Sequence, residues 1–118
     1  FFFEAETFLR FRDACAKAGI SAPIIPGILP IVSWEGAKRF AARCNAKVPA
    51  KLDEAFTHAI RDGREQLLGL TQCSVLCERL IEEGVEELHF YTLNRPQMTR
   101  DVCHALGLQP SVTLEKVA

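Results

Sequence analysis

The chain has 118 residues, 48% hydrophobic and 25% charged, with 14 basic against 15 acidic side chains and a net charge of −1. That is the composition of one soluble globular domain; it argues against disorder, and without a net positive field neither nucleic acid nor an anionic membrane is an expected partner. No run approaches the ~20 apolar residues of a membrane helix, and Phe1-Phe2-Phe3 leads at once into Glu4, Glu6 and Arg10 instead of a signal-peptide core, so a cytoplasmic protein is expected.

The three phenylalanines open the chain without a turn or cap before them. They read as a strand over residues 1–3 and as the start of a piece of a longer protein. From Ala5 to Ala18, Phe8, Leu9, Phe11, Cys15 and Ala18 recur at helical spacing until Gly19. Residues 20–32 are apolar and β-branched without polar alternation, as in a strand of a parallel sheet buried on both faces. Pro23, Pro26 and Pro30 confine that strand to about residues 23–27, centred on 24–26, with Ile28 already in the loop.

Ser33 caps a second helix carrying Trp34, Ala37, Phe40, Ala41 and Cys44, ending at Asn45. Pro49 opens a third at its first helical position, which Asp62-Gly63 closes. Leu67, Leu68, Leu70, Val75, Leu76, Leu80 and Ile81 line a long fourth helix that stops at Gly84. A third strand follows over residues 88–91, with His89 read as a hydrogen-bonded core histidine. Pro96 then starts a last helix with Met98, Val102, Cys103 and Leu106 on its apolar side. Residues 1–108 form the folded part and 109–118 a tail.

Strands separated by complete helices are expected to be parallel with right-handed crossovers. Three such units make either a small open sheet or three-eighths of a (β/α)₈ barrel, which needs about 250 residues. In both, chemistry belongs at the carboxyl ends of the strands, here Phe3-Glu4, residues 28–34 and residues 92–95. Arg95, directly before Pro96, has the fork that grips a carboxylate, with a solvated surface arginine as the plain alternative. Phe40 offers a ring that can stack on a flat ligand, or can simply pack in the core. Glu82, Glu83, Glu86 and Glu87 bracket a helix end and read as a solvated face. The odd number of cysteines, Cys15, Cys44, Cys73, Cys77 and Cys103, predicts buried free thiols; no quartet with zinc spacing exists and no metal is expected. The chain has no GxGxxG, GxxxxGK[ST], GxSxG or HExxH.

Two longer motifs, Pro23-Ile24-Ile25-Pro26-Gly27-Ile28-Leu29-Pro30 and His89-Phe90-Tyr91-Thr92-Leu93-Asn94-Arg95, together with Phe1-Phe2-Phe3 and the Phe8-Leu9-Arg10-Phe11 helix, resemble the methylenetetrahydrofolate reductase family in order and spacing. The resemblance runs from Phe1 to about Leu108. It implies the C-terminal three βα units, strands six to eight, of a TIM (β/α)₈ barrel. It further implies an FAD-dependent reduction of 5,10-methylenetetrahydrofolate to 5-methyltetrahydrofolate by NADH or NADPH, in a ping-pong sequence within one-carbon and methionine metabolism.

Carried over residue by residue, the resemblance makes Phe40 the aromatic that packs on folate or nicotinamide, Leu93 an apolar wall of the substrate pocket, and Arg95 the residue facing the substrate's polar end. No catalytic residue is expected in this stretch. The acid that helps open the methylene bridge and nearly all FAD contacts belong to the remaining N-terminal part of the barrel, which is thereby an expected partner, and a homo-oligomer is expected. Gly36 departs from the family, whose bacterial members carry a substrate-contacting glutamine there. The competing expectation is a free-standing, non-catalytic α/β module that binds a partner or ligand.

Overall fold

A computed structural model describes residues 1–109, so all but the first residue of the expected tail lies outside the described residues. Five helices and two strands follow in the order α1 (Ala5–Lys17), β1 (Gly27–Ile28), α2 (Trp34–Arg43), α3 (Ala50–Arg61), α4 (Glu65–Glu82), β2 (His89–Phe90) and α5 (Pro96–Ala105). The two strands pair in parallel, Gly27 opposite His89 and Ile28 opposite Phe90. This is an α/β arrangement whose connections are helical, as parallel pairing requires.

The helix boundaries follow local chemistry. Gly19, Gly63, Gly84 and Gly107 take positive φ just past α1, α3, α4 and α5, and Asn45 does the same after α2 at φ 51°. The Ser33 hydroxyl accepts from the Gly36 amide at 3.3 Å, capping α2. Pro49 stands one residue earlier than expected, as the residue that flanks α3, with extended backbone at ψ 131°.

The strands depart further from expectation. Residues 1–3 form no ladder; the Phe3 carbonyl instead accepts from the Gln72 side-chain amide at 3.3 Å. Two strands, not three, pair among the described residues. The second expected strand is displaced toward its C-terminus, because Pro23 and Pro26 have no N–H to donate. The ladder starts where the Pro26 carbonyl accepts from His89 N, at 3.0 Å, and continues with Ile28 O accepting from Tyr91 N, at 2.8 Å. Ile28 therefore belongs to β1 and not to the loop.

One face of this ladder is covered. Ile28, with Ala5 and Phe8 of α1, Cys73, Leu76, Cys77 and Leu80 of α4, and Val102 of α5, forms one apolar cluster, against which Phe90 packs. The opposite face is open: Ile25 remains 47% exposed and Tyr91 37%. His89 shares that open face and is exposed, not a core histidine, since its neighbours Leu88 and Phe90 take the covered side.

A second cluster holds Phe3, Ile31, Trp34, Ala37, Ala41 and Phe56. Its centre is Trp34 stacked on Phe56, ring centroids 4.4 Å apart and planes 6° from parallel, a pairing that contributes roughly 0.5–1.5 kcal/mol beyond area burial. In α4 the buried stripe is Gly69, Cys73, Leu76, Cys77 and Leu80, whereas Leu67, Val75 and Ile81 lie off it and are exposed. Phe11 of α1 is likewise exposed. All five cysteines are free; Cys15, Cys73 and Cys77 are buried, Cys103 is half-buried, and Cys44 is exposed because it sits past the last turn of α2. The Cys77 hydrogen bond and burial push the Cys73 thiol up. Glu82, Glu83, Glu86 and Glu87 are solvent-exposed. Among the described residues no helix is long and apolar enough to cross a membrane.

Candidate functional site

Beyond the carboxyl ends of β1 and β2 lies a cleft of about 300 Å³. One wall is the loop after β1 together with α2, and the other is the loop after β2 with the first turn of α5. Phe40, Leu93 and Arg95, far apart in sequence, all line it, and so does Gly36.

Helix α2 is amphipathic in a way that serves both sides. Trp34, Ala37 and Ala41 are buried in the second cluster. Gly36, Arg39, Phe40 and Arg43, at i, i+3, i+4 and i+7, share the other face and line the cleft. The helix is fixed at its beginning from three directions. Its first amide, Trp34 N, donates to Glu65 Oε1 at 2.7 Å, placing an acid at the positive helix end. The indole Nε1 donates to Asp53 Oδ1 at 2.7 Å. Lys38 bridges Glu35, at 2.9 Å, and Asp53, at 3.5 Å. The indole hydrogen bond, ahead of Lys38, holds the Asp53 carboxyl below its ordinary value.

Phe40 is half-buried, its ring edge-on to Phe1 at 5.0 Å and tilted toward Tyr91 at 6.3 Å. Tyr91 is itself edge-on to His89 at 5.1 Å, so an aromatic row runs from the open sheet face into the cleft. Gly27 admits the Tyr91 ring, since a Cβ there would overlap it.

The opposite wall is held in an unusual conformation. Leu93 and Asn94 take left-handed φ of 48° and 61°, and Arg95 N closes the turn on Thr92 O at 2.8 Å. Asparagine tolerates that region, but leucine adopts it rarely, and such residues generally cost on the order of 1–3 kcal/mol. The strain presents Leu93, 62% exposed, at the cleft mouth and sets Arg95 as the residue flanking α5. One turn into α5, the Thr99 hydroxyl is enclosed at the cleft wall without a hydrogen-bond partner among the described residues.

Three guanidiniums, Arg39, Arg43 and Arg95, line the cleft, and no acid does. The arrangement suits an anionic ligand with a flat apolar portion: rings and Leu93 for the flat part, arginines for the charge. To the expected Phe40, Leu93 and Arg95 the structure adds Tyr91, Arg39 and Arg43, which sequence reasoning does not single out. The signal was there, in two arginines four apart on the face of Phe40 and opposite that of Trp34. No group of three or more His, Cys, Asp or Glu side chains able to hold a metal occurs among the described residues.

Comparison with known proteins gives a consistent result. The family model described as methylenetetrahydrofolate reductase matches residues 1–107. The 5,10-methylenetetrahydrofolate reductase of Escherichia coli (strain K12) is 42% identical over 113 residues, which is 95% of this chain but 38% of that protein. The "Probable methylenetetrahydrofolate reductase (NADPH)" of Caenorhabditis elegans is 39% identical over 91% of this chain, and "Methylenetetrahydrofolate reductase (NADH) 1" of Arabidopsis thaliana is 35% identical over 91%. The matched stretch is 16% of the length of the former and 18% of the latter.

Proposed function

The chain belongs to the methylenetetrahydrofolate reductase family, and on that premise we propose that it forms strands six to eight, with their helices, of a (β/α)₈ barrel that reduces 5,10-methylenetetrahydrofolate to 5-methyltetrahydrofolate. NADH or NADPH is the reductant and FAD the cofactor, in a cytoplasmic homo-oligomer. The observation that carries the reading is the convergence of Phe40, Leu93 and Arg95 on one cleft at the carboxyl ends of parallel strands, where barrel enzymes keep their chemistry.

In this reading Phe40 packs on the flat part of folate or nicotinamide, Leu93 walls the pocket, and Arg95 holds the polar end of the folate through charge-assisted hydrogen bonds. All three bind and orient; none is asked to carry a proton or a hydride. The cleft is walled by the loop after β1 with α2 on one side and by the loop after β2 with the first turn of α5 on the other. As the family resemblance implies, nearly all FAD ligands, and the acid that opens the methylene bridge, belong to the part of the relatives that this chain does not span.

The test is direct: the full-length protein carrying this chain, purified and assayed for flavin content and for oxidation of NADH or NADPH by methylenetetrahydrofolate. Bound flavin and folate-dependent turnover are expected. A flavin-free protein without folate binding would contradict the reading.

A further inference from the structure

The cleft holds more positive charge than one carboxylate needs. Arg39 and Arg43 lie one turn apart on α2, where like charges oppose helix formation by a few tenths of a kcal/mol. Neither they nor Arg95 makes an ion pair or a side-chain hydrogen bond among the described residues; Glu35, one turn before Arg39, is engaged by Lys38 at 2.9 Å. Arg79, on α4, pairs by contrast with both Glu6 and Glu83. Three converging cations with no acid among the cleft's lining leave room for an anionic ligand and nothing internal to neutralise them.

We propose that Arg39 and Arg43 form a second anion subsite, distinct from Arg95, which takes a further anionic group of the substrate one helical turn, roughly 5–6 Å, along α2. This rests on the folate reading of the same cleft. The chemistry it recognises is a row of anionic oxygens borne on a ligand whose flat part lies against Phe40. Two sources supply such a row: an oligoglutamyl extension of the folate, and the additional phosphate that distinguishes NADPH from NADH.

The experiment compares the full-length protein with Arg39→Gln, Arg43→Gln and the double variant. One arm measures affinity for 5-methyltetrahydrofolate bearing one or three glutamyl residues; the other measures KM for NADPH and for NADH. Exposed ion pairs are weak, so the preference for the more anionic ligand should fall about two- to fivefold for each arginine removed, and less at high salt. A fall confined to the triglutamyl ratio assigns the subsite to the folate tail, and one confined to the NADPH ratio assigns it to the phosphate. Unchanged ratios in both arms of the double variant overturn the subsite.

Titration with tripolyphosphate separates this from the reading beneath it. Should the protein bind neither folate nor dinucleotide, the functional reading fails. Tripolyphosphate binding that weakens in the double variant would still support an anion subsite, and binding that does not weaken would overturn it.

Discussion

A β-carbon on Gly69 would overlap the Ile31 carbonyl oxygen. Helix α4 thus passes against the backbone of the loop that leads from β1 into α2, and the position of the cleft's α2 wall depends on a missing side chain. Because the neighbour is backbone, it cannot swing aside. Gly69→Ala is expected to destabilise the protein by about 1–3 kcal/mol through overpacking, despite alanine's better helix propensity. Thermal unfolding of the full-length protein checks this, and an unchanged or raised Tm would mean that the loop yields.

Gly36 is the opposite case. The nearest atoms to a Cβ there are Ser33 Oγ and Cβ, at 3.6 and 3.7 Å, which is ordinary contact. Gly36→Gln should be accepted and should stabilise α2 by roughly 0.5–1 kcal/mol, since glycine is a poor helix former and a third-position glutamine completes a capping box with Ser33. The same side chain would enter the cleft, so a gain in folate affinity measured alongside Tm is the expected companion result.

The Asp53 contact with Trp34 makes a pH prediction. The carboxyl is lowered from 3.8, first by the indole hydrogen bond and then by Lys38. A group lowered on folding contributes stability that is fully present above its unfolded value and is lost as pH falls through its folded value. The stability advantage of the native protein over Asp53→Asn should therefore be constant near neutrality and shrink below about pH 4. Chemical unfolding at a series of pH values reads it; an advantage that grew on acidification would show that the carboxylate is not what the indole needs.

The helices were legible because their ends are local chemistry: Gly19, Asn45, Gly63 and Gly84 stop them, and Ser33 and Pro96 start them. The strands were less so, since a strand exists only with a partner. Residues 1–3 have the composition of one and no ladder, while Ile28, expected in the loop, is paired. Faces were hardest. His89 alternates with apolar residues as a core residue would, yet which side of β2 is covered depends on where α1, α4 and α5 pack. The Glu65 bond to Trp34 N spans 31 residues and left no local trace. The cleft residues are legible in part through family resemblance; the spacing of Arg39 and Arg43 on the face of Phe40 is visible in the sequence, but that this face and Tyr91 line one cleft is set by the fold.

The central claim is that this chain supplies the folate-facing wall of a reductase, and Arg95 tests it most directly. Its guanidinium is a fixed positive fork suited to a carboxylate, and loss of such a charge-assisted hydrogen bond at an exposed position costs about tenfold in affinity. The measurement is the KM for methylenetetrahydrofolate, the KM for NAD(P)H and the flavin content of the full-length protein and its Arg95→Ala variant. The account predicts a roughly tenfold rise in the first with the other two nearly unchanged; an unmoved folate KM, or an equal loss in all three, would contradict it.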